Sequence, residues 1–272
     1  MPYLLALTPL EIPEAERKLV AWWKLDEAEG SDAADSSGNN LAGTLTGNPQ
    51  WQPTGGKVGG ALQLDGVDDY LETGYKDNLP VWTIAAWVNA NAAPASKGPS
   101  GPIHWQKNLQ INWDHQDDNF RGAAGTEVAG TWYAASFKDL QAKTWYHLAA
   151  TYDGENLKAY KDGVLITSTT TPVGSSDAES ETLKLGKHSV FTDATNYFGG
   201  TLDDVRIYNY ALSADDIAAI YAGKELPSTT PGILAASGDK SKTSNYWILV
   251  LAVAATVAVV IGVTISKKKP TA

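Results

Sequence analysis

The 272-residue chain has no cysteine, which excludes a disulfide framework, thiolate chemistry and a cysteine zinc site. The fold must stand on its hydrophobic core alone, and about 200 residues are enough to supply one. Basic residues are scarce: 21 Lys and Arg against 31 Asp and Glu leave a formal charge of -10. Phosphate binding needs clustered cations that release counterions, so no nucleic-acid partner is expected. No Asn-x-Ser/Thr acceptor for N-glycosylation occurs. The four histidines, His104, His115, His147 and His188, lack metal-ligand spacing, and there is no Gly-x-Ser-x-Gly nucleophile elbow.

What is present points to an all-β body. Ten Trp and twelve Tyr, with 25 Gly and 13 Pro, suit many short strands separated by tight turns. Strand patterns run over residues 19–25, 61–65, 70–73 and 83–89. Two Asp-Gly steps, Asp153-Gly154 and Asp162-Gly163, predict hairpins joining strands at 145–152, 156–161 and 164–169. Ser213-Ala214-Asp215-Asp216 resembles a capping box opening a short helix, with Ile217, Ile220 and Tyr221 as its apolar face.

The longest uncharged run is Tyr246 to Ile265, twenty residues. As a helix rising about 1.5 Å per residue it matches the roughly 30 Å hydrocarbon thickness of a bilayer. Tyr246 and Trp247 sit where an interfacial aromatic belt would, and Lys267, Lys268 and Lys269 follow directly. The positive-inside rule puts those lysines in the cytoplasm and the body outside the cell. The N-terminal MPYLLALTPLEIPEAE lacks the basic start of a secretory signal. A tail-anchored protein with a cytoplasmic body therefore stays open beside the single-pass surface protein. Ala254, Ala258 and Gly262 recur every four positions, a small-residue stripe that admits a second helix and hence a homo-oligomer. The expected organisation is an N-terminal extension (1–17), one domain (18–224), a flexible stalk rich in Ser, Thr, Gly and Pro (225–245), the transmembrane helix (246–265) and a basic tail (266–272).

The stretches LVAWWKLDEAEGSDAADSSGNNLAGTLTG, GGKVGGALQLDGVDDYLE, TWYHLAATYDGENLKAYKDGVLITS and FGGTLDDVRIYNYALSADDIAAIY occur in an order that resembles the laminin-G-like, concanavalin A-like jelly roll. The resemblance covers residues 18 to 224 and implies two curved, mainly antiparallel sheets packed face to face. Such folds host lectins, adhesion modules and some glycosidases, so the fold alone does not give the function. Glycosidases of this architecture carry a Glu-x-Asp-x-x-Glu run, which is absent here. The acidic clusters Asp65, Asp68, Asp69 and Asp114, Asp117, Asp118 read as solvated turn residues. A non-catalytic protein is expected.

Sugar recognition needs amides and hydroxyls for directional hydrogen bonds and an aromatic ring for the apolar face of the sugar. In IHWQKNLQINWD, alternation puts Ile103, Trp105, Leu109, Ile111 and Trp113 on one face and His104, Gln110 and Asn112 on the other. A three-residue hairpin loop centred on Lys107 would pair Trp105 with Leu109. His104, Gln110 and Asn112, with Trp132 and Tyr133 as a stacking platform, form the expected glycan site. The expected partner is a glycan or a surface protein, beside a structural envelope component without a small-ligand site. The resemblance further implies calcium, with Asp35 and Asp203 as ligands, carbonyls near Asn40, and the side chain of Asp204 as an additional donor. Asp-Ser-Ser-Gly-Asn also makes an Asx turn without any metal, and Asp203 has Arg206 as an alternative partner.

Overall fold

The structure is a computed structural model that describes residues 10–91, 100–105, 107–116, 119–188 and 197–226, without the side chains of residues 100, 114–116 and 119–121. The chain divides into two units, Met1–Thr230 and Pro231–Ala272. The expected stalk from residue 227 on, the transmembrane helix with Tyr246 and Trp247, and Lys267, Lys268 and Lys269 lie outside the described residues. Among the described residues no helix is long and apolar enough to cross a membrane.

Among the described residues, a 3-10 turn at Glu14–Glu16 precedes sixteen strands and one α-helix, in order: β1 (Leu19–Trp23), β2 (Asp32–Ala33), β3 (Gly43–Thr46), β4 (Gln50–Gln52), β5 (Ala61–Asp65), β6 (Tyr70–Glu72), β7 (Trp82–Ala90) and β8 (Ser100–Trp105). Then come β9 (Leu109–Gln116), β10 (Asn119–Val128), β11 (Thr131–Phe137), β12 (Tyr146–Tyr152), β13 (Asn156–Lys161), β14 (Val164–Thr170), β15 (Lys184–Leu185), β16 (Gly199–Tyr208) and α1 (Ala214–Tyr221). They form two antiparallel sheets. The first runs β14-β13-β12-β7-β16-β5-β4, with β1 also on β16; the second runs β11-β10-β9-β8-β15-β6-β3-β2.

The two sheets close on one core. Trp82, Ile84, Ala86 and Val88 of β7 meet Ile103, Trp105, Leu109, Ile111 and Trp113 of the β8–β9 hairpin, and every one of these is fully buried. Trp105 pairs with Leu109, as the three-residue loop requires. β7 and β12 read as nearly unbroken apolar runs because their second face is covered too. Ala85, Ala149, Tyr160 and Tyr208 on the outer face of the first sheet pack under Ile217 and Ile220 of α1. The helix starts where the sequence says, with Ser213 and Asp216 completing a capping box. Tyr221, expected on the apolar face, is 39% exposed and turns its ring toward Trp87 and His147, at centroid distances of 5.5 and 5.8 Å.

Turn chemistry sets the registers. Asp162 (φ 52°) and Gly163 (φ 80°) both take positive φ, the geometry a two-residue hairpin needs, and Lys161 pairs with Val164 across them. On β16, Gly199–Leu202 pair with β5 and Val205–Tyr208 pair with β1. The handover occurs at Asp203 and Asp204, where the register shifts and Asp204 adopts φ 52°. The strands β14 and β11, at the ends of the two sheets, are stitched together by side chains. The hydroxyls of Thr167 and Thr169 donate to the Ser136 and Ala134 carbonyls, each at 2.7 Å.

Candidate functional site

Directly opposed residues of an antiparallel pair share a face, so register alone traces a row across the second sheet. Asp32, Thr44, Glu72, Lys184, His104, Gln110, Gly125 and Ala134 are successive partners from β2 to β11. Because Ile103, Trp105, Leu109 and Ile111 point into the core, this row lies on the outer face. The expected division of the β8–β9 hairpin into an apolar and a polar face therefore holds.

The centre of the row is not open to ligand. His104 is fully buried, Gln110 is 5% exposed and Lys184 is 9% exposed. The His104 and His188 rings stack at a centroid distance of 3.6 Å. Burial, then the neighbouring His188, hold the His104 pKa well below the ordinary imidazole value, and the Lys184 charge adds to this while the Gln110 side chain opposes it. Burial brings His188 down to about 4. Lys184 is set against Glu72 at 3.5 Å and Glu181 at 3.6 Å. Asn112 donates to the Gln110 Oε1 at 2.6 Å and is only half-buried. His104 and Gln110 are thus interior polar groups, and Gln110 orients Asn112; the exposed groups of this face are their neighbours.

Those neighbours lie on β10 and β11. Asn112 opposes Ala123, which opposes Ser136, and Gln110 opposes Gly125, which opposes Ala134. Trp132 opposes Glu127, two residues from Gly125, so it shares this face, where it is 44% exposed. A Cβ at Gly125 would overlap the Cζ2 and Cη2 atoms of Trp132. The indole therefore lies down on a glycine and presents its other face outward, beside small residues and the Asn112 amide. Tyr133 does not join it: as the next residue it points inward and packs on the core. The hairpin carrying Trp132 turns through Ala129 (φ 50°) and Gly130 (φ 74°), and Asp177 clamps both turn N–H groups at 3.0 and 2.7 Å. Neither Gly125 nor Asp177 was expected from the sequence. The Ala129-Gly130 turn was the available signal, since it fixes the register that sets Gly125 diagonal to Trp132.

The residues expected to bind calcium are placed differently from one another. Asp35 Oδ1 accepts from the Trp22 and Ser37 N–H groups, and Oδ2 accepts from the Ser37 hydroxyl and Leu41 N–H, all within 3.0 Å. These bonds hold its pKa below the ordinary value against the opposing effect of burial, and they make the Asx turn. Asn40 bends the same loop at φ 60°. Asp204, rather than Asp203, takes Arg206, through Oδ2 at 3.0 Å and Oδ1 at 3.2 Å, and also accepts from the Trp22 indole. Asp203 is fully buried; its Oδ2 accepts from the Lys57 and Val58 N–H groups, and its Oδ1 has no hydrogen-bond partner among the described residues. Burial above all, with Asp204 and Asp26 nearby, raises its pKa to about 7. Only Asp203 of this set has a carboxylate oxygen to spare.

The acidic turn also differs from expectation. Asp65, Asp68 and Asp69 carboxylates lie within 4.8 Å of one another, but Asp69 is buried rather than solvated. It ties two loops by accepting from the Asn48 and Asp65 N–H groups at 2.6 and 3.0 Å. Asp117 and Asp118 and the side chain of Asp114 lie outside the described residues.

With this geometry in hand, the sequence profile of the Concanavalin A-like lectin/glucanases superfamily (Laminin_G_3) matches residues 65–218, more than half of the chain. The chain belongs to this superfamily. No curated protein matches it. Among solved structures it is similar to Domain 4 of AbnA, a GH43 extracellular arabinanase from Geobacillus stearothermophilus, in complex with arabinotriose. That likeness has 24% identity and a TM-score of 0.59 over 75% of this chain and 98% of that one. It is also similar to the binding domain of Paraclostridial Mosquitocidal Protein 1, with 15% identity and a TM-score of 0.57 over 78% of this chain and 53% of that one. The binding domain of Botulinum Neurotoxin DC in complex with SialylT gives 13% identity and a TM-score of 0.55 over 76% and 51%. This chain spans about half the length of either toxin binding domain. At these identities the likeness carries the fold of the superfamily member and nothing finer.

Proposed function

We propose that this superfamily member is a non-catalytic glycan-binding module whose ligand rests on the outer face of the second sheet against Trp132. The observation that carries the reading is the exposed indole laid on Gly125 beside the half-buried Asn112 amide, Ser136 and the small side chains of Ala123 and Ala134. An aromatic face covers the apolar side of a sugar, and amide and hydroxyl groups take its hydroxyls. Relatives support it: one is a domain solved with arabinotriose, and another is a toxin binding domain solved with SialylT. A protein partner has similar support, since the same toxin domain has been solved with rat synaptotagmin II. Applied to an array of immobilised glycans, the full chain is expected to bind at least one saturably. Failure to bind any glycan would remove this function and favour a structural envelope role.

The module is held at the cell surface by residues 246–265, with the lysine triplet inside. Protease added to intact cells is then expected to remove the sandwich. Protection of the sandwich until lysis would instead place it in the cytoplasm.

A calcium ion belongs to the same reading, with Asp203 as its buried carboxylate donor and Asp35 left to its turn. Its support is the buried Asp203 with an unpartnered Oδ1, since a hard cation takes oxygen donors and offsets a buried charge. At about pH 8 the melting temperature is expected to be higher in excess calcium than in chelator. Asp203→Asn abolishes the difference, whereas Asp35→Ala lowers both temperatures and preserves it. Identical wild-type curves in calcium and chelator remove the ion.

A further inference from the structure

A cavity of about 270 Å³, which shares no lining residue with the Trp132 face, lies where the N-terminal segment crosses the end of the first sheet. The segment runs over the turn before β13, close enough that a Cβ on Gly154 would lie 3.2 Å from the Leu10 nitrogen. Ile12, Val81 and Ala211 supply apolar wall, and Arg17, Glu155 and Tyr210 supply its chemistry. The Arg17 guanidinium sits 5.5 Å from the centre of the Tyr210 ring and is oriented by its Nε donating to the Ile12 carbonyl at 3.1 Å.

Not every polar group here is committed to the fold. Asp153 is used up: Oδ1 accepts from the Glu155 and Asn156 N–H groups, and Oδ2 pairs with Lys158 at 3.1 Å. Asn156 Oδ1 is taken by the Thr170 hydroxyl at 3.3 Å. The half-buried Glu155 carboxylate, by contrast, makes no hydrogen bond or ion pair among the described residues, and neither does the Tyr210 hydroxyl. Burial, with the neighbouring Tyr208, pushes the Tyr210 phenol up to about 12, so it stays protonated. The cavity thus presents a free acceptor pair and a free hydroxyl between apolar walls.

Carboxylates at Glu11 and Glu155 oppose an anion, Asp153 is spent on Lys158, and the Arg17 guanidinium offsets one of the two remaining negative charges, so charge holds a small cation only weakly. The acceptor pair and hydroxyl between apolar walls suit a neutral molecule rich in hydroxyls. The two oxygens of one carboxylate can accept from two adjacent hydroxyls, and a sugar ring has an apolar face for Val81 and the Tyr210 ring. We infer that this cavity is a monosaccharide-sized subsite for a neutral sugar unit, gripped through a vicinal diol by Glu155. It is separate from the Trp132 face and would make the module bivalent toward a glycan.

The test is backbone amide NMR of the full chain titrated with free glucose, galactose and arabinose, for wild type, Glu155→Gln, Tyr210→Phe and Trp132→Ala. At least one sugar is expected to shift the amides of Glu155, Asn156 and Ala211. Glu155→Gln should weaken that response at least about tenfold, Tyr210→Phe should weaken it less, and Trp132→Ala should leave it intact. The subsite is overturned if none of the sugars moves these amides, if Glu155→Gln responds as wild type does, or if Trp132→Ala abolishes the shifts. It is equally overturned if tetramethylammonium or acetate moves them and no sugar does. Loss of binding at Trp132 with persistent shifts at Glu155 would remove the main proposed site and leave this one standing.

Discussion

Acidification from about pH 6.5 to pH 5 is expected to cost the sandwich several kcal/mol of stability, a large share of a typical total of about 5–15. The cause is three buried imidazoles. Burial, and then the charge of Arg206, lowers the His147 pKa to about 3; burial lowers His188 to about 4; and His104 is held well below its ordinary value. His147 is 2% exposed, its Nδ1 has no hydrogen-bond partner among the described residues, and its ring packs against Trp87 at 5.3 Å. Unfolded histidine takes a proton near pH 6.5, whereas these folded histidines refuse it. The stability they contribute is therefore fully present above about pH 6.5 and is lost as pH falls toward the folded pKa values, at roughly 1 kcal/mol per pH unit each for His147 and His188, with His104 acting in the same direction. Asp203, raised to about 7, works in the opposite sense and offsets about one of the three. Denaturant melts between about pH 7 and pH 5 test this. His147→Phe, which keeps an aromatic ring against Trp87, is expected to make the slope shallower by about one proton. Unchanged stability across that range, or an unchanged slope in His147→Phe, would contradict the buried neutral histidines.

Gly125→Val is expected to abolish glycan binding while leaving the sandwich folded. Gly125 sits mid-strand in β10, where glycine weakens a strand and normally marks a close approach. Here the approaching group is the Trp132 indole, which occupies the space a side chain would fill. A valine suits the strand conformation but lifts the ring off the sheet, so the platform is lost without loss of the core, to which Gly125 does not belong. A loss of more than about tenfold in affinity is the expected size for removing an aromatic anchor. Equal affinity in Gly125→Val would show that the placement of Trp132 does not matter for the ligand.

Much of the fold was legible because local rules decided it. The Asp162-Gly163 turn, the Ser213 capping box and the alternation of the β8–β9 hairpin all need only nearby residues, and each appears where the sequence put it. The candidate site was legible only in part, since it depends on relations between strands. Trp132 and Tyr133 are adjacent, so they cannot share a face, and a β11 stretch without clear alternation hid which one points out. His104 and Gln110 were read as exposed because they lie on the polar face. Their burial depends on the stacking of His104 against His188, 84 positions later in the chain, a contact no pattern encodes. The Asp35 loop shows two uses of one motif: its oxygens serve four donors of its own turn, while the spare acceptor belongs to Asp203.

The most direct test of the central claim is calorimetric titration of the full chain, wild type and Trp132→Ala, with the glycan that binds best on the array. A one-residue truncation of an exposed indole should leave the melting temperature nearly unchanged, so affinity can be compared between two folded proteins. The expected result is saturable binding by wild type and at least about a tenfold weaker constant for Trp132→Ala. Equal constants for the two proteins would show that the glycan does not rest on the outer face of the second sheet.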